Sequence, residues 1–459
     1  MNLNKIHIAY FLGIGGIGMS AIARYFKSIG IEVHGYDKTR NDFTRQLENE
    51  GFFIHYDEQI NLIPEAILRG EGIVIYTPAI PASHLEKIHI QNLNIRIYKR
   101  AEVLGIISQQ TFTIAVAGTH GKTTTSCLIA HILNENNINF IAFLGGISTN
   151  LNSNYIHKTD GIDFLNQPIM VVEADEYDRS FLHLKPDIAI VTSTDADHLD
   201  IYGETSEVKK SFQEFVNGIK KNGIAILNEK TELTSVESQI IYGKNEYCQA
   251  RYNQIAVKDF EFIFDYHFES FISKITNGLP GFHNVENATA AITACLNVGL
   301  DFKQIIDACH SFLGVKRRFE FVFKDQNFVV IDDYAHHPTE LTSFITSVKE
   351  LYPNQKITGI FQPHLFSRTR DFAEDFAIAL DLLDECWLLN IYPARELPIE
   401  GVNSEMLALK MRKNALITSK ENVIKKLNKE KPEVLLIMGA GDIDQLIQPI
   451  KSIYHETIY

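Results

Sequence analysis

The stretch IAVAGTHGKTTTS, from Ile114 to Ser126, combines residue types that can hold phosphate. An apolar run breaks into a turn containing Gly118 and Gly121, and Lys122, Thr123 and Thr124 follow where a helix should start. In such a loop backbone N–H groups point at the anion, and the helix N-terminus adds positive potential. The glycines let the backbone close, Lys122 reaches the β- and γ-oxygens of a nucleotide, and the Thr123 hydroxyl ligates Mg2+. Thr119 and His120, inside the turn, complete the candidate ATP contacts. The pattern G-x-x-x-x-G-K-[ST] is met incompletely, because Val116 stands where the first glycine belongs, and this weighs against a GTPase or a generic ATPase. The plain alternative is a glycine turn with an incidental lysine.

A cation between phosphates wants hard oxygen ligands. VVEADEYD places Glu173, Asp175, Glu176 and Asp178 directly after an apolar run, and STDADHLD repeats the arrangement with Asp195, Asp197, His198 and Asp200. Either cluster alone reads as a solvated loop or a helix cap. Both follow strands, downstream of a phosphate loop, and together they point to divalent metal, with room for two ions. A second glycine pattern, GIGGIG from Gly13 to Gly18, fits G-x-G-x-x-G, and Asp37 stands where a ribose-binding carboxylate belongs. Alone it favours NAD(P), yet a nucleotide diphosphate-sugar presents the same pyrophosphate and ribose. Further on, His336 and His337 precede Pro338, a residue suited to a helix start. One of them caps that helix or faces the chemistry.

These residues need a scaffold. At roughly 150 residues per domain, 459 residues make about three. Apolar runs alternate with helical patterns through most of the chain, which reads as parallel sheets covered by helices. The first block opens with KIHIAYFLG and closes at 109; the second spans 110–315 and includes antiparallel strands in ARYNQIAVKDFEFIFDYHFESFISKI; the third, 316–459, holds NFVVIDDY, KITGIFQP, ECWLLNIY and VLLIMGAG. The net charge of −14 argues against a nucleic-acid partner, whose phosphates are held by lysine and arginine. Five scattered cysteines without a C-x-x-C suggest neither a disulfide frame nor a zinc site, and a reducing cytoplasm fits them. IHIAYFLGIGGIGMSAIA imitates a signal peptide, but glycines interrupt its apolar core and a strand follows. No segment reaches the ~20 apolar residues that span a bilayer, so membrane insertion is not expected.

Taken together, GIGGIGMSAIA, GTHGKTTT, EADEYDRSFLHLKPDIAIVTSTDADHLD, LPGFHNVENATAA, RRFE, DDYAHHPTE and FQPHLFSRTRDF, in this order over nearly the whole chain, resemble the Mur ligases of peptidoglycan synthesis. The last two motifs resemble the alanine-adding branch. The resemblance implies an α/β protein of three domains: an N-terminal Rossmann-like UDP-binding domain, a central P-loop ATPase-like domain and a C-terminal Rossmann-like domain. It implies ATP and two Mg2+ ions, with UDP-N-acetylmuramate and L-alanine as substrates. By this likeness Gly15, Gly16, Gly18 and Asp37 contact the UDP portion, Lys122 the transferring phosphoryl group, Thr123 with Glu173 one Mg2+, and His198 the second. His283, Asn284 and Asn287 match the adenine-binding segment, and Arg318 and Asp333 approach the nucleotide from the third domain. Tyr334, His336 and Arg368 match positions near the amino acid, whose carboxylate suits a bidentate arginine.

Two departures stand out. Leu365 occupies a place where many members carry arginine, and no equivalent of the carbamylated lysine of sister ligases can be placed, since Gln213 and Glu214 lie near the expected spacing and Lys209 and Lys210 fall short. A ligase recycling a ready-made tripeptide would share the first two domains' motifs but should lack the FQPH and SRTR pattern. A folate-polyglutamate ligase would lack the N-terminal block. An NAD-dependent oxidoreductase would leave the Lys122 loop idle, and a nucleotide-binding scaffold would not need two acidic clusters.

Overall fold

The computed structural model describes residues 6–195, 205–235, 237–394 and 396–455. Its frame is three β-sheets. The first contains β1 (Ile8–Leu12), β2 (Glu32–Tyr36), β3 (Phe53–His55), β4 (Ile73–Tyr76) and β5 (Ile97–Lys99), ordered β3-β2-β1-β4-β5. All its pairings are parallel. Every residue of β1 is buried, as a parallel strand covered on both faces requires. Strand order reverses at β1, and a crevice for ligands opens at such a switch point, beyond the carboxyl end of the strand. GIGGIG lies there.

The second sheet contains β6 (Phe112–Ala117), β7 (Phe140–Ser148), β8 (Ser153–Lys158), β9 (Ile169–Glu173), β10 (Ile188–Val191), β11 (Ile224–Asn228), β12 (Ser238–Gly243), β13 (Ala250–Lys258), β14 (Glu261–Phe268) and β15 (Phe271–Asn277). Their order is β15-β14-β13-β12-β11-β10-β6-β9-β7-β8. The strand of the phosphate loop, β6, therefore runs between β9 and β10, parallel to both. On β14 every second residue is buried, the period expected of a strand with one covered face. The third sheet contains β16 (Glu320–Lys324), β17 (Val329–Asp333), β18 (Ile357–Phe361), β19 (Glu385–Leu388), β20 (Ala415–Ile417) and β21 (Val434–Met438), ordered β16-β17-β21-β18-β19-β20. Only β16 runs antiparallel to its neighbour.

Packing divides the chain into two compact units. One comprises Met1–Asn253, Tyr266–Ser273 and Asn287–Ser311, and so holds the first sheet and β6 to β12. The other comprises Gln254–Asp265, Lys274–Glu286 and Phe312–Tyr459. The five cysteines are buried and none is joined in a disulfide. Among the described residues no helix is long and apolar enough to cross a membrane.

The start of β6 is pinned by charge. Asp187, just before β10, accepts from the Thr113 amide at 2.7 Å and from Lys220 Nζ at 2.8 Å, while the same ammonium donates to the Thr111 carbonyl at 2.7 Å. This brace fixes the strand that carries the phosphate loop. Asp187→Ala leaves the Thr113 amide without this acceptor and the Lys220 ammonium without its counter-charge, and the expected cost is about 1.5–3 kcal/mol. Urea unfolding should show a lower midpoint, and an unchanged midpoint would contradict the brace.

Candidate active site

The phosphate loop leaves β6 through Gly118 (φ 135°) and enters the helix Lys122–Glu135 through Gly121 (φ 82°). A side chain at either position is excluded twice over. Both φ values lie where L-residues are strained, and a Cβ would come within 2.1 Å of Thr192 Oγ1 at Gly118 and within 2.4 Å of Asn287 Oδ1 at Gly121. The end of β10 holds the loop in place: Thr119 N donates to the Ser193 carbonyl at 3.2 Å, His120 N to Ser193 Oγ at 2.8 Å, and the Thr192 hydroxyl to the His120 carbonyl. Thr119 Oγ1 reaches the Asp195 carbonyl at 2.8 Å, and His120 Nε2 lies 3.6 Å from the Asp195 carboxylate. The amides of Thr119 and His120, expected at phosphate, thus bind Ser193 in this structure. The helix then starts with Lys122, Thr123 and Thr124 in its first turn, where backbone N–H groups have no partner within the helix.

Lys122 folds back over this turn. Its ammonium donates to the Gly118 carbonyl at 2.6 Å and pairs with Glu176 at 2.8 Å. Burial alone would lower the lysine pKa, but the carboxylates of Glu176 and Glu173 outweigh it and hold the group above its ordinary value. Glu176, 3% exposed, is the residue that sequence reading left undistinguished within an acidic run. Glu173 ends β9 opposite Val116 of β6 and accepts from the Gly145 amide at 3.1 Å. Glu173 and the Thr123 hydroxyl are hard oxygen donors, the type Mg2+ takes, but two donors are too few to hold the ion without phosphate oxygens. Among the described residues there is no cluster of three or more acidic, histidine or cysteine side chains able to hold a metal. His198, with Asp197 and Asp200, lies outside the described residues.

In the glycine loop after β1, Asp37 accepts from the amides of Gly15 at 2.7 Å and Thr39 at 3.1 Å, so in this structure the expected ribose ligand shapes the loop. Around Gly16 a Cβ would meet nothing closer than 3.9 Å, so the protein's own packing does not require a glycine there. Gly18 is covered by Arg100, whose Nη1 would lie 2.3 Å from a Cβ, and whose Nη2 lies 3.7 Å from Asp175. Arg100 starts the helix Arg100–Ser108, directly after β5. Sequence reading missed it. Its place after a strand, at the carboxyl edge of a parallel sheet, was the available signal.

His283, Asn284 and Asn287 lie at the start of the helix Phe282–Val298. His283 Nδ1 is 3.0 Å from Ser343 Oγ, Asn284 Nδ2 donates to the Pro280 carbonyl at 2.6 Å, and Asn287 stands against Gly121.

At the end of β17 the two aspartates face different tasks. Asp333 accepts from the Phe319 and Ala335 amides at 2.7 and 2.8 Å, and burial pushes its carboxyl up to about 6. Asp332 is pushed up to about 7, again by burial, against the pull of Arg317 at 3.3 Å. The Tyr334 ring lies 5.1 Å from each of the Arg317 and Arg318 guanidinium groups. Arg318 also lies 3.8 Å from Glu340.

The two histidines separate cleanly. His337 caps the helix Pro338–Leu351, accepting from Thr339 N at 3.4 Å. His336 Nδ1 sits 3.0 Å from the Tyr334 carbonyl and 3.3 Å from Glu340 Oε2. Both neighbours are acceptors, so Nδ1 carries the proton and Nε2 keeps its lone pair. Burial lowers the His336 pKa below its ordinary value; Glu340 opposes this and Arg368 adds to it. A neutral imidazole with Nε2 as acceptor can take a proton. Arg368 extends from the helix Phe366–Asp371, and His364, not singled out in the sequence, lies with its ring 6.1 Å from that of His336.

Three family models cover most of the chain: Mur ligase family, catalytic domain, over residues 8–111; Mur ligase middle domain over 116–295; and Mur ligase, glutamate ligase domain, over 317–441. Two relatives are named UDP-N-acetylmuramate–L-alanine ligase. That of Flavobacterium johnsoniae is 46% identical, covering 100% of both chains. That of Flavobacterium psychrophilum is 48% identical over 98% of this chain and 99% of its own. The crystal structure of the UDP-N-acetylmuramate-alanine ligase of Thermotoga maritima is similar with a TM-score of 0.80 at 28% identity, covering 98% of this chain and 99% of that one.

The Lys122–Glu176 pair yields a direct test. Glu176→Gln leaves a buried ammonium short of counter-charge and should destabilise the nucleotide-free protein by about 1–3 kcal/mol. Saturating ATP supplies the missing charge and should restore most of the lost thermal midpoint. An equal loss with and without ATP would show that phosphate does not replace Glu176.

Proposed function

The chain belongs to the Mur ligase family, and we propose that within it this protein joins L-alanine to the carboxylate of UDP-N-acetylmuramate with ATP, a step of peptidoglycan precursor synthesis. It is an ATP-dependent, amide-bond-forming ligase. The observation that carries the reading is identity along the full chain with ligases of that name. The work is divided among domains at 1–109, 110–315 and 316–459, and takes place in the cytoplasm, where ATP and a reducing environment coincide.

A carboxylate oxygen of the muramyl group attacks the γ-phosphorus of ATP, and ADP leaves with the electron pair of the broken bond. Lys122 exchanges Glu176 for the phosphoryl oxygens and neutralises their charge during transfer. The alanine nitrogen then attacks the acyl-phosphate carbonyl carbon, the C–O bond to phosphate breaks, and inorganic phosphate leaves. His336 Nε2 takes the proton released by the amine, while the Arg368 guanidinium holds the alanine carboxylate and Tyr334 borders it. Thr123 and Glu173 would hold one Mg2+ and His198 a second; bound there, the metal neutralises phosphate charge. Gly118, Thr119, His120, Gly121 and Thr124 line the ATP phosphates. His283, Asn284 and Asn287 take the adenine end, and Arg318 and Asp333 border the nucleotide. Gly15, Gly16, Gly18 and Asp37 hold the UDP portion.

With ATP and UDP-N-acetylmuramate present, phosphate release should be strongest with L-alanine, compared with glycine, L-serine or the tripeptide. Release with the tripeptide alone would make this the recycling ligase. Borohydride trapping without alanine should give the muramyl alcohol from the parent and from Arg368→Ala, and none from Lys122→Ala; trapping by Lys122→Ala would remove the lysine from phosphoryl transfer. Because burial lowers the His336 pKa, the imidazole stays neutral, and kcat/KM for alanine should keep its value to a pH below the ordinary histidine value of 6.5 before falling. His336→Ala should lose roughly 10²–10⁴-fold in rate together with that acid limb. A parent profile that already falls above 6.5, or one unchanged in the variant, would exclude the role.

A further inference from the structure

Arg368 stands on a helix of six residues, Phe366–Asp371, too short to hold its own shape. The helix also starts under strain. Leu365, its N-cap, has φ 70° and ψ 136°, a conformation that non-glycine residues keep only where the surroundings over-determine it. The surroundings are supplied by the segment after β19. Tyr392 N donates to the Pro363 carbonyl at 2.8 Å, Leu365 N donates to the Tyr392 carbonyl at 3.0 Å, and the His364 ring stacks on Tyr392 with centroids 5.7 Å apart. One turn further on, Glu396 takes both donors of Ser367: its Oε2 accepts from the backbone N–H at 2.9 Å, and its Oε1 from the hydroxyl.

Resting on the reading of Arg368 above, we propose that Glu396 is a positioning residue for the amino-acid substrate. Its carboxylate anchors the residue before Arg368 by two hydrogen bonds and so fixes the direction in which the guanidinium leaves the helix. A carboxylate suits the task because two acceptor oxygens meet two donors of one residue, and because negative charge is favourable at the first turn of a helix. Glutamine has one acceptor oxygen and loses one of the two bonds. Alanine loses both.

The test uses the full chain and four variants: Ser367→Ala, Glu396→Gln, Glu396→Ala and Arg368→Ala. KM for alanine should rise by about ten-fold or more in Glu396→Ala, as expected when a charge-assisted hydrogen bond is lost, and by less in Glu396→Gln and Ser367→Ala. KM for ATP and the yield of borohydride-trapped acyl phosphate should stay at parent values. Because Glu396 acts through Arg368, adding Glu396→Ala to Arg368→Ala should raise KM no further. An unchanged KM for alanine in Glu396→Ala beside a raised one in Arg368→Ala would overturn this inference alone. Parallel loss of alanine binding, ATP binding and trapping in Glu396→Ala would overturn it in favour of a general folding role. An unchanged KM in Arg368→Ala would overturn the underlying reading, and the inference with it.

Discussion

Keeping an ammonium charged and nearly buried inside a closed glycine turn is the constraint on which the rest of this structure depends. Lys122 can stay there only because Glu176 and Glu173 offset the cost of burial, and because the Gly118 carbonyl accepts one of its protons. The turn can close only where no Cβ intrudes, which demands glycine at 118 and 121. Both requirements are met by one topological fact: β6 lies inside the sheet, with β9 delivering the carboxylates on one side and β10 the hydroxyls of Thr192 and Ser193 on the other. An edge strand could not be served from both sides.

The third sheet places a carboxylate beside an imidazole in a similar way. Glu340 stands in the first turn of its helix, accepts from the His336 and His337 amides, and lies 3.3 Å from His336 Nδ1. A helix cap and a tautomer are thereby set by a single carboxylate. Burial then keeps the imidazole neutral. The Lys122 turn and the His336 imidazole both follow the carboxyl ends of parallel strands, where backbone turns and helix starts gather.

Local features of this protein were legible in its sequence, and those that depend on distant residues were not. The glycine turns, the strands and the histidine pair before Pro338 declare themselves because each follows from neighbouring residues. The alternation in EFIFDYHF likewise gave β14 its half-buried face. Position within the sheet is another matter: β21 inserts between β17 and β18, an order that no local pattern encodes. Glu173 and Glu176 stand three residues apart in one acidic run, and only the fold sends Glu176 to Lys122. Asp37 and Asp333 were legible as carboxylates after strands, whereas the backbone amides of Gly15 and Phe319 from which they accept hydrogen bonds are brought to them only by the fold. Arg100 meets Gly18, and Glu396 meets Ser367, only after folding.

A Lys122 loop that activates a carboxylate leaves one carboxylate oxygen on phosphate. UDP-N-acetylmuramate labelled with heavy oxygen in its muramyl carboxylate, turned over with ATP and L-alanine, tests this most directly when the released phosphate is weighed by mass spectrometry. One heavy oxygen is expected in each inorganic phosphate formed. Unlabelled phosphate, with one heavy oxygen kept in the amide carbonyl and the other lost to water, would contradict it.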